Sequence, residues 1–212
     1  KHLYILSENT NIHIIGGIKC FYVDSDKVEI KGVKFYADSV IAGSEGISIN
    51  SKNEFNIVEC EFYNLVYGVR FYSTRLGGRD HVLSSISNCY ARGCTYGIVS
   101  EEGGEYTNIT ASRFYECNRA VSIRGGNVML DGCQITKCAI GVELLSGANN
   151  SHGIISNCQI NHTGTPIKAD GMTKGHTIIG CHIYQGIVNL HDSIGVTFDN
   201  CVLVLTSLLA DN

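Results

Sequence analysis

The chain has 212 residues, of which 44% are apolar and 17% charged, with 24 glycines, one proline, ten cysteines and no tryptophan. That apolar share excludes a disordered chain, and a net charge of -4 argues against the basic surface of a nucleic-acid binder. No apolar run reaches the ~20 residues of a bilayer-spanning helix, and the opening KHLYILSENTN does not read as a signal peptide.

Cysteine makes up about 5% of the chain, below the 8–10% of a small disulfide scaffold. Cys89/Cys94 and Cys133/Cys138 have four residues between them, with no histidine pair following at finger spacing. The cysteines mark a repeat instead. Cys60, Cys89, Cys133, Cys158, Cys181 and Cys201 share one local pattern that Val33 and Ser112 also carry, with steps of 27, 29, 23, 21, 25, 23 and 20 residues. Such a period belongs to a solenoid.

The units read alike from one end of the chain to the other. Nothing before Asn11 reads as a capping helix. Three residues before each anchor stand Ile30, Ile57, Ile86, Ile109, Leu130, Ile155, Ile178 and Phe198, and two after it Phe35, Phe62, Ala91, Phe114, Ile135, Ile160, Ile183 and Leu203. Immediately before it come Gly32, Glu59, Asn88, Ala111, Gly132, Asn157, Gly180 and Asn200. Glycine and asparagine enter the left-handed region most cheaply, so a sharp bend between two short strands is expected there. A second strand follows in each unit, starting at Gly46, Gly68, Gly97, Ala120, Gly141, Pro166 and Gly186, with apolar residues at period two. Stacked units of this kind make a parallel β-helix of about eight rungs. An inward cysteine ladder is expected along it, with free thiols behaving as small apolar core residues. A single proline fits, because proline removes a ladder donor from a central strand.

The repeat resembles the right-handed parallel β-helix of the pectate-lyase-like superfamily from about Asn11 to Leu205, and among its members is most like a bacteriophage tailspike. The polygalacturonase-like Asp-Asp and Gly-His-Gly patterns are absent; Gly175-His176-Thr177 departs at the third position. Asp-Pro-His of mannuronan epimerases and Arg-x-Pro-x-x-Arg of pectate lyases are excluded, since the only proline follows Thr165. A tailspike resemblance implies a homotrimer in the virion, folded in the host cytoplasm, that binds a bacterial surface polysaccharide.

Candidate site residues come from the outward positions of the second strands. One column is expected to read Arg70, Val99, Ser122, Glu143, Lys168, Asn189, and the next Tyr72, Glu101, Arg124, Leu145, Asp170, His191. Glu101, Glu143 and Asp170 are the candidate catalytic carboxylates. Their rung spacing is compatible with both retaining and inverting glycosidases and so selects neither. Arg70, Tyr72, Arg124, Lys168 and His191 are candidate substrate contacts. Arg79 and Asp80 join them from a loop, Ser73 to His81, expected to protrude beside an acidic one, Ser100 to Tyr106. The bland alternative is a solvated face with ion pairs Glu101–Arg124 and Glu143–Lys168. The histidines fit surface or structural roles.

These features lead to one domain over residues 1–212, read as part of a longer chain or capped by partner chains because both ends lack a cap. Its expected function is a tailspike-type receptor-binding β-helix that binds, and in one reading depolymerises, a surface polysaccharide. No metal, cofactor, nucleic acid or membrane partner is expected. The alternatives are a free-standing polysaccharide lyase or glycoside hydrolase, which would be secreted, and a structural spacer without ligand.

Overall fold

The structure is a computed structural model that describes residues 3–50, 53–72, 83–101, 104–147 and 152–211. It is an all-β parallel solenoid of about eight turns without a helix among these residues.

Three walls of parallel strands surround the core. The first wall holds the long strands Lys19–Val23, Glu45–Asn50, Tyr67–Tyr72, Tyr96–Ser100, Arg119–Ile123, Ile140–Leu145 and Thr165–Asp170. The second includes Asn56–Val58, Ser85–Ser87, Thr107–Thr110, Val128–Asp131, Ile154–Ser156 and His176–Ile179. The third includes Glu61–Tyr63, Tyr90–Arg92, Arg113–Tyr115, Gln134–Thr136 and Gln159–Asn161. Inside the tube, Val69, Val121, Val142 and Ile167 are fully buried. Phe35 and Phe62 stack with ring centroids 5.4 Å apart.

Left-handed bends join the second wall to the third. All eight residues preceding the anchors have positive φ, from 48° at Ala111 to 72° at Gly32. Even Glu59 and Ala111 adopt it, at a cost of about 1–2 kcal/mol each. The hydrogen-bond ladder runs through the bend and holds them there: Glu59 N–H donates to Ser87 O at 3.0 Å and Ala111 N–H to Asp131 O at 3.0 Å. A second left-handed bend joins the third wall to the first, at Asn64, Gly93, Glu116, Lys137, His162, Gln185 and Leu205, with φ between 49° and 67°. Only Asn64 and Gly93 among these seven are of the residue types that announce it.

The cysteines have a physical role at these bends. Eight of the ten are buried and all are free thiols, while Cys20 and Cys201 are half-buried. Nine of them, all but Cys20, occupy the first inward position after a bend, where the thiol donates to the carbonyl two residues upstream. Cys89 Sγ reaches Ser87 O at 3.4 Å, Cys158 reaches Ser156 O at 3.2 Å, and Cys117 reaches Tyr115 O at 3.7 Å. Where the position is not cysteine, a hydroxyl does the same: Ser112 Oγ donates to Thr110 O at 3.0 Å, and Thr163 Oγ1 to Asn161 O at 3.2 Å. The site asks for a small side chain that is largely apolar yet carries one short donor. Cysteine meets both demands.

One buried polar residue makes stability depend on pH. His176 is 2% exposed, and its Nδ1 accepts the Gly153 N–H at 3.1 Å. Burial first, and the charge of His152 second, push its pKa down to about 4. In the unfolded chain the ring titrates near 6.5, so between these values only the unfolded state holds the proton. Stability therefore falls as pH drops from 6.5 to 4, by about 3 kcal/mol from this group. Urea titrations across that window should show the loss in the parent protein and most of it removed in His176→Asn, which keeps an acceptor near Nδ1. Parallel pH profiles for the two proteins would contradict the assignment.

Candidate functional site

The outward columns on the first wall have the expected register. Arg70 pairs with Val99, Val99 with Ser122, Ser122 with Glu143, Glu143 with Lys168 and Lys168 with Asn189. Leu145 pairs with Asp170 and Asp170 with His191. A third outward column precedes them: Lys19, Glu45, Tyr67, Tyr96, Arg119, Ile140 and Thr165. Sequence reading passed over this column because it breaks the period of two: Tyr67 and Tyr96 stand three residues before Arg70 and Val99, and Gly68 and Gly97 are buried next to the inward Val69 and Ile98. Strict alternation assigns Tyr67 and Tyr96 to the inside, so it carries no signal for them.

Together the columns enclose a depression of about 310 Å³. Tyr67 and Tyr96, stacked with centroids 5.1 Å apart, form one side. Val99 and Ser122 lie low between the flanking columns, while Glu101, Arg124 and Leu145 line the opposite side. The middle column is not solvated as expected. Val99, Ser122 and Glu143 are at most 6% exposed, because larger side chains of the two outer columns close over them.

Two ion-pair clusters bound the depression along the solenoid axis. Arg70 NH1 meets Glu45 Oε1 at 2.8 Å, and Arg70 NH2 meets Glu101 Oε1 at 2.8 Å. The guanidinium lies over the Tyr67 ring at 4.7 Å and the Tyr72 ring at 5.1 Å. Burial works against its charge, but Glu101 and Glu45 outweigh this and raise its pKa above the ordinary value. In the other cluster, Glu143 accepts from Arg119 Nε at 2.9 Å, Ser122 Oγ at 2.9 Å and Lys168 Nζ at 3.1 Å.

The candidate residues therefore separate. Glu143 is buried with both oxygens engaged, so it is part of the wall's framework. Of the two expected ion pairs, Glu143–Lys168 forms. Glu101 pairs with Arg70 rather than with Arg124, whose NH1 donates to Ser146 O at 3.3 Å. Glu101 keeps Oε2 without a hydrogen-bond partner among the described residues, beside the depression. Asp170 lies one rung beyond Leu145, outside the lining. Tyr72 accepts from Lys19 Nζ at 3.0 Å, toward the N-terminal end of the wall. His191 is exposed and pairs with Asp211 at 3.0 Å; that hydrogen bond, with the nearby Asp192 charge, raises its pKa. Arg79 and Asp80 lie outside the described residues. Of the acidic loop, Glu102 and Gly103 lie outside the described residues, and Glu105 is buried at 7% exposure. Among the described residues no group of His, Cys, Asp or Glu converges as a metal site.

Chemically, the depression offers aromatic rings, one open carboxylate oxygen, the exposed guanidinium of Arg124 and, in Arg70 and Glu143, charges already paired. Among the described residues its lining carboxylates are Glu101 and the buried Glu143.

No family model and no curated protein matches the chain. Among solved structures it is similar to the A-module of the mannuronan C-5 epimerase AlgE4 of Azotobacter vinelandii, at 10% identity and a TM-score of 0.41. That match covers 88% of this chain and 63% of the module. A putative glycosyl hydrolase from Parabacteroides merdae is similar over 86% of this chain and 81% of its own, at 13% identity and a TM-score of 0.16. Likeness at this level bears on neither activity nor ligand.

Proposed function

We propose that the chain is a tailspike-type, polysaccharide-binding β-solenoid that presents its first wall to a bacterial surface polysaccharide. The observation that carries the reading is the stacked Tyr67/Tyr96 pair across a shallow depression from the unpartnered Oε2 of Glu101. Tyrosine rings present flat apolar area with a polar edge, which suits the C–H face of a pyranose. A carboxylate oxygen accepts from sugar hydroxyls. Because Arg70, Arg119 and Lys168 are neutralised by glutamates, the face favours hydroxyl-rich rather than strongly charged sugars. With Glu143 committed to the framework, the reading is binding without cleavage.

The test is a glycan array of bacterial surface polysaccharides, followed by calorimetry on the strongest hit. Tyr96→Ala should weaken that binding about tenfold, as loss of a central aromatic contact does. Tyr184→Ala, on the third wall, should leave it unchanged. Equal affinities for the parent and Tyr96→Ala would remove the first wall from the reading, and an array without signal would favour a spacer. The tailspike assignment further implies a trimer by light scattering.

A further inference from the structure

The third wall has a different outward face. One column reads Lys34, Glu61, Tyr90, Arg113 and Gln134, and the column beside it Tyr36, Tyr63, Arg92, Tyr115 and Thr136. Three of these five rungs place a tyrosine beside a cation, Lys34 with Tyr36, Tyr90 with Arg92 and Arg113 with Tyr115. Lys34 Nζ lies 4.6 Å from the Tyr63 centroid, Arg113 Cζ 5.5 Å from that of Tyr90, and Lys137 Nζ 5.3 Å from that of Tyr115. Tyr63 and Tyr90 meet edge to face at 5.6 Å.

Charge pairing separates this face from the first wall. There Arg70, Arg119 and Lys168 each touch a glutamate, and Arg124 donates to the Ser146 carbonyl. Here Arg92 pairs with Glu116 at 3.2 Å, but Lys34, Arg113 and Lys137 have no carboxylate within 4 Å among the described residues. Glu61, the register partner of Lys34, accepts the Tyr63 hydroxyl at 2.7 Å instead. The result is a positively biased face on a chain of net charge -4. At its N-terminal end Lys34, Tyr36 and Tyr63 line a depression of about 460 Å³.

We propose that the third wall is a second, separate binding surface for an acidic glycan, a polysaccharide whose sugars carry carboxylates. The guanidinium of Arg113 matches a carboxylate in two parallel hydrogen bonds, and the neighbouring Tyr90 and Tyr115 rings offer the apolar surface that a sugar ring needs. Nucleic acid fits less well. Its phosphates follow one another more densely than these cations, and Glu61 and Glu116 interrupt the series.

A hyaluronan octasaccharide is the probe, titrated into the protein by calorimetry at low and high salt. Binding should appear at low salt and weaken as salt screens the exposed charges. Arg113→Gln combined with Lys137→Gln should reduce it about tenfold or more, the loss expected for charged hydrogen-bond partners. Both positions are exposed, so unchanged urea midpoints will show that the fold is intact. Tyr96→Ala should bind hyaluronan as the parent does, which keeps this outcome independent of the first-wall reading. The proposal is overturned by no binding, by equal binding of a neutral N-acetylglucosamine oligomer, or by no effect of the double substitution. Tighter binding of a short thymidine oligonucleotide would equally overturn it.

Discussion

Replacing Gly97 with valine is expected to destabilise the solenoid by about 3 kcal/mol or more, the upper range for overpacking a core. A Cβ at Gly97 would lie 2.5 Å from Ala120 O and 2.7 Å from Phe114 Cδ1. The first contact is with backbone that belongs to the ladder of the next rung, so it cannot rotate away. The second is with a ring that is 2% exposed. Gly46 stands in the same relation to Gly68 O and Phe62 Cδ1, at 2.7 and 2.8 Å. At the equivalent position Ala120 is accommodated, and there the next rung carries Ile135 in place of phenylalanine. Phe114→Ile should accordingly recover part of the loss in a Gly97→Ala background, a coupling that a double-mutant cycle measures. Urea unfolding gives both numbers. A Gly97→Val midpoint equal to that of the parent would mean that the rungs are not packed this closely.

Glu143→Ala is expected to cost about 3 kcal/mol, although Glu143 stands in the column expected to face solvent. Removing it leaves Arg119 and Lys168 without their carboxylate and Ser122 Oγ without its acceptor. Breaking a buried pair from one side costs roughly 3–5 kcal/mol. The lower end applies because the Arg119 and Lys168 side chains are 26% and 29% exposed. Glu143→Gln, which keeps one acceptor and the volume, should lose less. Replacing all three charged groups with apolar residues of similar size should recover most of the loss. If Glu143→Ala instead unfolds at the parent's midpoint, the cluster is ornamental and Glu143 is free for chemistry. The comparison thus decides between a framework and a reactive role for this glutamate.

The sequence showed how the columns are ordered but not how much water reaches them. Alternation along the strands places Arg70, Val99, Ser122, Glu143 and Lys168 in one line, because a side chain's face in a strand depends only on parity. Burial depends on the neighbours on either side. Tyr67, Tyr96 and Arg119 close over the middle column, and these three were not assigned to the face. Ion-pair partners were open in the same way. Glu101 has Arg124 one rung onward and Arg70 one rung back, and side-chain reach selects Arg70, whose position is also fixed by Glu45 and two tyrosine rings.

The two bends of each rung divide along the same line. The first was legible because Gly and Asn dominate it, and local backbone preference alone points to a left-handed residue there. The second has Asn64 and Gly93 in two rungs, but Glu116, Lys137, Gln185 and Leu205 in others, and these four do not favour that conformation. Only ladders on both sides impose it: Glu116 N–H donates to Thr136 O at 3.1 Å and Lys137 N–H to Asn161 O at 3.1 Å. The sequence by itself thus determined the period, the alternation from Arg70, Val99 and Ser122 onward in the first-wall strands and the inward place of the buried cysteines, since these follow from local chemistry repeated along the chain. Tertiary structure decided the second bend, the burial of Glu143 and the pairing of Glu101, because each depends on residues about a rung away in sequence that stacking brings into contact.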